Sequence, residues 1–397
     1  MVAFPRYPLS RFLILYGALY ASFGVQSPYL PSLLESRNLG PEAIAFVLGA
    51  GTAIRLIAGP VAGRLADILD APKAVLAACS AAAALIATGY LRATGSLLLF
   101  LVSVLQSAAL APLAPLTDTL ALASAAPHQP KGSVQQGFHY GWLRGAGSAA
   151  FIFGTLLSGE AIAQFGINAA VLLNAGLLTA AAFAARLVAV LPRPTEGAAP
   201  PVVDDGAVRA FGALLRLPLY RRIVFVAALI LGSHAMHDSF AVIRWEAAGI
   251  GPSMVGALWS ISVAAEVVVF LFIGRPLLDR IGPARAAMLA AAAGILRWVI
   301  MAETTWLPAL AAVQPLHGLT FALLHLTCMR LLAQCVPGHL EATALTVYGT
   351  VGIGLPTALL IIGSGQLYSH FAANGFFVMA ALCAAALPLA RNLREPS

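Results

Sequence analysis

With 397 residues the chain is long enough for two or three water-soluble domains, yet 60% of its residues are hydrophobic and only 10% are charged. Roughly a quarter of a soluble chain is charged, because its surface must face water; this composition, with a mean hydropathy of +0.88, excludes a soluble enzyme or binding domain. The net charge of +7 is spread between apolar runs with no basic stripe and no interleaved aromatics, so it excludes nucleic acid as a partner and reads as a topology signal in a lipid bilayer.

One crossing needs about 20 mostly apolar residues. By that ruler the sequence predicts twelve helices, over 10–34, 42–66, 73–93, 96–122, 136–159, 167–191, 221–247, 253–277, 284–303, 307–335, 341–366 and 371–391. The first run is followed by Ser27-Pro28-Tyr29-Leu30-Pro31 and further spans, so it is expected to stay as a helix rather than act as a cleaved leader. Prolines inside the runs, such as Pro112, Pro115, Pro315 and Pro356, are tolerated where neighbouring helices satisfy the freed backbone groups. One sizeable hydrophilic stretch, 192–219, starts Pro192-Arg193-Pro194 and holds Asp204 and Asp205. It divides the chain into a six-helix bundle over 1–192, a cytoplasmic linker over 193–219 and a second six-helix bundle over 220–397. The expected fold class is thus an all-α polytopic membrane protein.

With the N-terminus inside, Arg6, Arg11, Arg64, Lys73, Lys131, Arg186, Arg193, Arg275, Arg330, Arg391 and Arg394 are among the many cytoplasmic cations, and only Arg37 and Arg92 fall in outer loops. The bias puts both termini in the cytoplasm. Cys79, Cys328, Cys335 and Cys383 all fall in or at the end of apolar runs and read as packing residues, not disulfides or metal ligands.

An ionisable residue in mid-span costs roughly 2.5–3.5 kcal/mol on insertion scales, so each is a functional candidate. Arg55 lies about eleven residues from the inner end of the second helix, roughly 16 Å, and Arg144 about eight residues into the fifth, roughly 12 Å. Asp118 is in the inner half of the fourth. These three fit either a structural ion pair or a site where a guanidinium fork receives a substrate anion. Glu266 and Arg297 sit at similar depth on successive helices, as a static salt bridge or as a proton-coupling pair. His234 and His237, three residues apart, share a helix face with Asp238 beside them. The run lacks a full metal-ligand set, so no metal is expected, and a substrate or proton role is favoured. His317 and His325, eight apart, share a face about 12 Å apart along the helix. Tyr16, Tyr20, Phe23 and Gln26 follow helical spacing and line either a cavity or a packing face. Arg244 is expected to reach the membrane interface. No Walker loop, G-x-S-x-G or H-E-x-x-H occurs, so neither an ATP-driven pump nor a hydrolase of those types is predicted, and no cofactor is expected.

The halves carry a trace of repeat. Gly63-Arg64-Leu65-Ala66-Asp67 follows the second helix and closes at Lys73; Arg275-Pro276-Leu277-Leu278-Asp279-Arg280-Ile281-Gly282 follows the eighth and closes at Arg285. On this Gly-x-x-x-Asp pattern the chain resembles the major facilitator superfamily, although Ile68 and Asp70 replace the usual basic residue and glycine. A narrower likeness is to the 3-phenylpropionate permease group, relatives of the lactose permease. It rests on Leu48-Gly49-Ala50-Gly51 leading to Arg55, Tyr140-Gly141-Trp142-Leu143-Arg144-Gly145-Ala146-Gly147-Ser148, Gly232-Ser233-His234-Ala235 with Gly256 to Trp259 and Glu266, and Leu316-His317-Gly318 leading to His325.

The resemblance implies two six-helix bundles around a central cavity and places Arg144, with Phe138, Gly141 and Gly147 around it, where the lactose permease arginine binds substrate. The expectation is a monomeric secondary transporter in a bacterial inner membrane, carrying a small organic solute by alternating access with a proton as coupling ion. An aromatic carboxylate such as 3-phenylpropionate is the expected solute, with a sugar or nucleoside as the alternative. Arg55, Arg144, Tyr20, His234 and His317 are the expected substrate contacts. Asp118, Asp238, Glu266, Arg297, His237 and His325 are the expected proton groups. Gly63, Asp67, Lys73, Asp279, Arg280 and Arg285 form the expected conformational loops. A non-transporting membrane sensor or assembly partner is the alternative of another class, and a membrane-embedded enzyme would need a metal or nucleophile constellation that is not found.

Overall fold

The computed structural model describes residues 8–125, 140–188 and 206–393. Lys131, Phe138, Arg6, Arg193, Arg394 and the first part of the linker lie outside the described residues.

The elements are α1 (Pro8–Gln26), then α2 (Pro41–Ile68), α3 (Pro72–Leu91), α4 (Ser96–Ser124), α5 (Tyr140–Phe165), α6 (Asn168–Leu187), α7 (Pro218–Ala247), α8 (Pro252–Glu303), α9 (Leu307–Cys335) and α10 (Gly338–Ala390). Among the described residues, the nine from α2 to α10 are long and apolar enough to cross a membrane. Two of them, α8 and α10, run 52 and 53 residues, too long for one crossing, and each folds back once. The fold-backs occur at Gly282, whose φ of 77° and ψ of 164° end one helix before Pro283 starts the next, and at Ala372, with φ 47°. Among the described residues, the nine stretches with their two fold-backs give eleven passages, and the 19-residue α1 is a twelfth helix.

Local chemistry explains the boundaries. Proline stands at the first turn of α3, α7 and α8, where its missing N–H has no helical partner to lose. Gly166, at φ 80°, reverses the chain between α5 and α6. The first helix is shorter than expected: it stops at Gln26, and a separate short helix, Leu30–Ser36, follows, because Pro28 and Pro31 cannot donate to the preceding turn. The hydrophilic stretch before α7 contains a helix, Gly206–Arg216.

The chain forms two compact units. One gathers the described residues of Met1–Arg37, Ile54–Ala198 and Pro252–Ala257; the other gathers those of Asn38–Ala53, Ala199–Gly251 and Leu258–Ser397. In the first unit α1 is central, with Phe12, Leu15, Tyr16 and Leu19 buried among residues of α3, α4, α5 and α6. Its crossing with α5 is very close. A Cβ at Gly24 would sit 2.0 Å from the Phe151 carbonyl oxygen, and one at Gly154 would sit 2.2 Å from that of Ala21. Small residues supply this kind of contact where lipid is as apolar as the helix surface. In the second unit the alanine face Ala286, Ala287, Ala290 and Ala291 is buried, and the Gly274–Glu303 part of α8 packs on the Gly375–Ala390 part of α10.

Candidate functional site

The close α1–α5 crossing sets up the polar cluster of the first unit. Gly147 of α5 lies against the Tyr16 and Tyr20 rings, where a Cβ would be 3.3 and 3.2 Å away. One turn earlier, Arg144 donates from NH1 to the Tyr20 hydroxyl at 2.6 Å and to Asp118 Oδ2 at 3.3 Å. Tyr16 donates to the other oxygen of Asp118 at 2.5 Å. The Tyr16 and Tyr20 rings stack at 5.4 Å, and the guanidinium lies 5.6 Å from the Tyr20 ring centre. The Arg144 side chain is 49% exposed and Asp118 27%. The pair therefore faces open space, with guanidinium N–H groups to spare. Arg55 is exposed and makes no hydrogen bond or ion pair among the described residues. Beneath this cluster, Gln26 donates to Gln106, Gln106 to Asn174, and Asn174 to the Ser22 carbonyl, tying α1, α4 and α6 together.

The second unit holds a denser cluster around Arg297 of α8, which has no exposed surface. Its guanidinium reaches His317 Nδ1 at 3.1 Å, His237 Nε2 at 3.3 Å and Gln314 Oε1 at 3.1 Å. Gln314 Oε1 also accepts from Ser262 at 2.7 Å. A guanidinium has donors and no acceptor. Both imidazole nitrogens facing Arg297 must therefore be unprotonated, and each ring carries its proton on the other nitrogen. That places the His317 Nε2 proton toward Glu266 Oε2, 3.4 Å away, and the His237 Nδ1 proton toward Asp238 Oδ1, 3.0 Å away. The five side chains form one continuous chain, Asp238–His237–Arg297–His317–Glu266, with both histidines neutral and their tautomers set by one arginine.

Aromatic rings pack around the centre of this chain. His237 stacks on Trp259 at 4.8 Å, and Arg297 lies 4.6 Å from the Trp298 ring. Trp298 donates to Ser233, and His234 Nε2 meets Thr320 Oγ1 at 2.9 Å. The backbone departs from α geometry beside two of these residues, as π-helical turns over Val269–Ile273 after Glu266 and Gly318–Leu323 after His317. Such turns are frequent at functional sites.

The sequence-predicted residues are thus sorted by the fold. Arg144, Tyr20 and Asp118 meet; Arg55 stands apart from their hydrogen bonds. His237, Asp238, Arg297, His317 and Glu266 meet, with His317 interposed between the arginine and Glu266. His234 packs edge-on against His317 at 5.2 Å. His325 sits in a ring cluster with Phe270, Phe321 and Tyr348, and Phe321 stacks between it and His317. Arg244 donates to the Ala302 carbonyl at 3.0 Å. Among the loop residues, Gly63 and Asp67 line a cavity of about 160 Å³. Lys73 donates to the Val188 carbonyl at 2.8 Å, and Asp279 pairs with Arg330 at 2.5 Å. Arg280 and Arg285 are exposed. Among the described residues no group of three or more His, Cys, Asp or Glu is placed to hold a metal ion. Gln314 and Ser262 were not singled out from the sequence; as polar side chains within apolar runs they carried the same signal as the charged ones, only weaker.

Comparison with known proteins adds to this geometry. The profile described as MFS_1 like family matches residues 9–379. The chain is 32% identical over 385 residues to the probable 3-phenylpropionic acid transporter of Escherichia coli (strain K12), covering 94% of each. It is 28% identical over 380 residues to the maltose permease of Geobacillus stearothermophilus, covering 95% of this chain and 91% of that one. Among solved structures, a mutant form of the nucleoside transporter NupG aligns with a TM-score of 0.85 at 17% identity, covering 97% of this chain and 99% of the other. The POT family transporter PepTSo aligns with a TM-score of 0.70 at 13% identity, covering 97% of each. At these identities the structural matches speak for the fold.

Proposed function

Because this chain belongs to the MFS_1 like family, and is a multi-pass secondary transporter rather than an enzyme, we propose that it carries a small carboxylate together with a proton by alternating access. An aromatic acid such as 3-phenylpropionate is the proposed solute, in keeping with what its relative's name says of that protein.

The observation that carries this reading is Arg144. It is half exposed, oriented by Tyr20 and Asp118, and keeps unused guanidinium donors beside an aromatic stack. A carboxylate suits that fork, and an aromatic body suits the part-exposed Tyr20 and Phe23 rings beside it. Formal charge agrees: Arg55 and Arg144 exceed Asp118 by one positive charge in the first unit. Arg55 supplies a second attraction.

In the second unit, Asp238 and Glu266 exceed Arg297 by one negative charge. A proton on either carboxylate neutralises the chain. His237 and His317 link each carboxylate to the arginine, so a proton arriving at one end changes the hydrogen bonding of the whole chain. Solute and proton then act through their differential affinity for the two access states. The proposal includes both termini in the cytoplasm, a bacterial inner membrane, a monomer, division into 1–192, 193–219 and 220–397, and a conformational role for Gly63, Asp67, Lys73, Asp279, Arg280 and Arg285.

The test is thermal stability of the purified protein against aromatic carboxylates, sugars and nucleosides at acid and neutral pH. A ligand that binds only the folded state raises the melting temperature by mass action. Carboxylates are expected to stabilise, and Arg144→Gln to abolish the effect. Stabilisation by maltose or nucleosides alone would overturn the carboxylate assignment and favour a neutral solute, the reading that the permease relative supports.

A further inference from the structure

Away from both polar clusters, a cavity of about 600 Å³ opens between α3 and α6 within the first unit. Its walls are apolar and include Ala74, Ala78, Ala81 and Ala182, with Leu85 and Phe183 beside them. Leu85 and Phe183 are 74% and 62% exposed. From Lys73 to Thr88 the groove follows α3 for about 22 Å at 1.5 Å per residue. That exceeds the hydrocarbon depth of one leaflet, about 15 Å.

One end of the groove is cationic. Lys73 and Arg186 line it, and none of its lining residues is acidic. Lys73 and Arg11 donate to the Val188 and Leu187 carbonyls at 2.8 and 3.1 Å, closing the last turn of α6. Lys73 retains two further N–H donors. Arg186 is exposed and has no hydrogen bond or ion pair among the described residues. Two cations thus border an apolar groove with donors unspent.

The second unit carries a shorter and more polar cavity at the corresponding place. A cavity of about 620 Å³ lies where the Pro283 passage of α8 begins and the last passage of α10 ends, bordered by Arg285, Arg330 and Arg391 with Asp279. Asp279 is paired with Arg330, which leaves Arg285 and Arg391, both exposed, as the excess charge. Lys73 and Arg285 close the matched loop motifs of the two halves, and Arg186 and Arg391 each stand at the end of the last helix of their half.

We propose that these cavities seat anionic phospholipids. The phosphate of one lies between Lys73 and Arg186, with an acyl chain along the alanine wall, and a second headgroup lies between Arg285 and Arg391. The occupant follows from the charge and from the apolar length together. A soluble anion would use the cations but not the groove. A zwitterionic lipid would use the groove but present its own ammonium to the cations. The proposal depends on the chain spanning a bilayer and not on the solute or the coupling ion.

The experiment is native mass spectrometry of the purified protein, titrated with phosphatidylglycerol, phosphatidylcholine or inorganic phosphate. Phosphatidylglycerol is expected to be retained in preference to phosphatidylcholine, at up to two copies. Loss of one cation near a headgroup is expected to weaken its site about fivefold, so Arg186→Gln and Arg391→Gln should each do so at their own site. Arg186→Lys should retain the lipid. Ala81→Phe fills the groove without changing charge and should displace the first copy. Both Ala81 and Arg186 are exposed, so neither change disturbs the core. Equal retention of phosphatidylcholine, equal competition by inorganic phosphate, or undiminished phosphatidylglycerol binding in the Arg186→Gln, Arg391→Gln double variant would each overturn the proposal.

Discussion

Replacing Arg297 with Gln removes the donor that organises the second unit's polar chain. Three acceptors lose it: His317 Nδ1, His237 Nε2 and Gln314 Oε1. Gln314 keeps Ser262 as a donor, so the buried His237 nitrogen and the part-buried His317 nitrogen are left without their partner. A stranded buried acceptor costs about 1–3 kcal/mol, which gives about 2–6 kcal/mol for the pair. Part is returned, because Arg297 is itself a fully buried charge and its Nε has no hydrogen-bond partner among the described residues. The lower half of that range, about 2–4 kcal/mol, is therefore expected. The functional effect is separate. The formal charge of the chain falls from one negative to two, and two imidazole lone pairs become open to a proton. Proton release then limits the cycle, while exchange of solute for solute, which needs no release, continues. In proteoliposomes the variant should lose accumulation driven by a proton gradient and keep counterflow. Accumulation at the wild-type level, with an unchanged melting temperature, would refute the reasoning.

Gly154→Ala places a methyl group 2.2 Å from the Ala21 carbonyl oxygen, so α1 and α5 must part; a loss of about 1–3 kcal/mol is expected as a lowered melting temperature. Gly176→Ala on α6 is the matched control: its Cβ meets nothing within 4 Å, and no loss is expected. Tyr16→Phe removes a donor to a carboxylate, worth about 1.5–3 kcal/mol. Asp118 then relies more on Arg144, so carboxylate binding, read by titration calorimetry, should weaken about tenfold; an unchanged dissociation constant would separate Asp118 from the site.

The helices and their number were legible because a span is a matter of length and hydropathy. The fold-back at Gly282 was legible as the charged interruption between the apolar runs 253–277 and 284–303, and Gly282-Pro283 is where one helix stops and the next starts. The helix Gly206–Arg216 was hidden by the polar residues around it, although Ala210, Phe211, Leu214 and Leu215 carry a helical spacing. Within the site, counting residues from a helix end gives depth but not the direction a side chain takes around the axis. Arg55 and Arg144 were predicted at comparable depth, yet only Arg144 reaches Asp118. The same blindness concealed His317 between Arg297 and Glu266. Each residue was a candidate alone, but the relay depends on α7, α8 and α9 arriving at one point, which no local pattern records. Gln314 and Ser262 went unremarked because an uncharged polar side chain is a common sight in a membrane helix.

The most direct test of proton-coupled carboxylate transport is lumenal pH in proteoliposomes given an inward gradient of 3-phenylpropionate and no initial proton gradient, with protein-free liposomes and Arg144→Gln as references for passive entry of the acid. The account predicts lumenal acidification well above both references, since each carboxylate brings a proton with it. Solute entry by the wild-type protein with acidification no greater than in the references would contradict it.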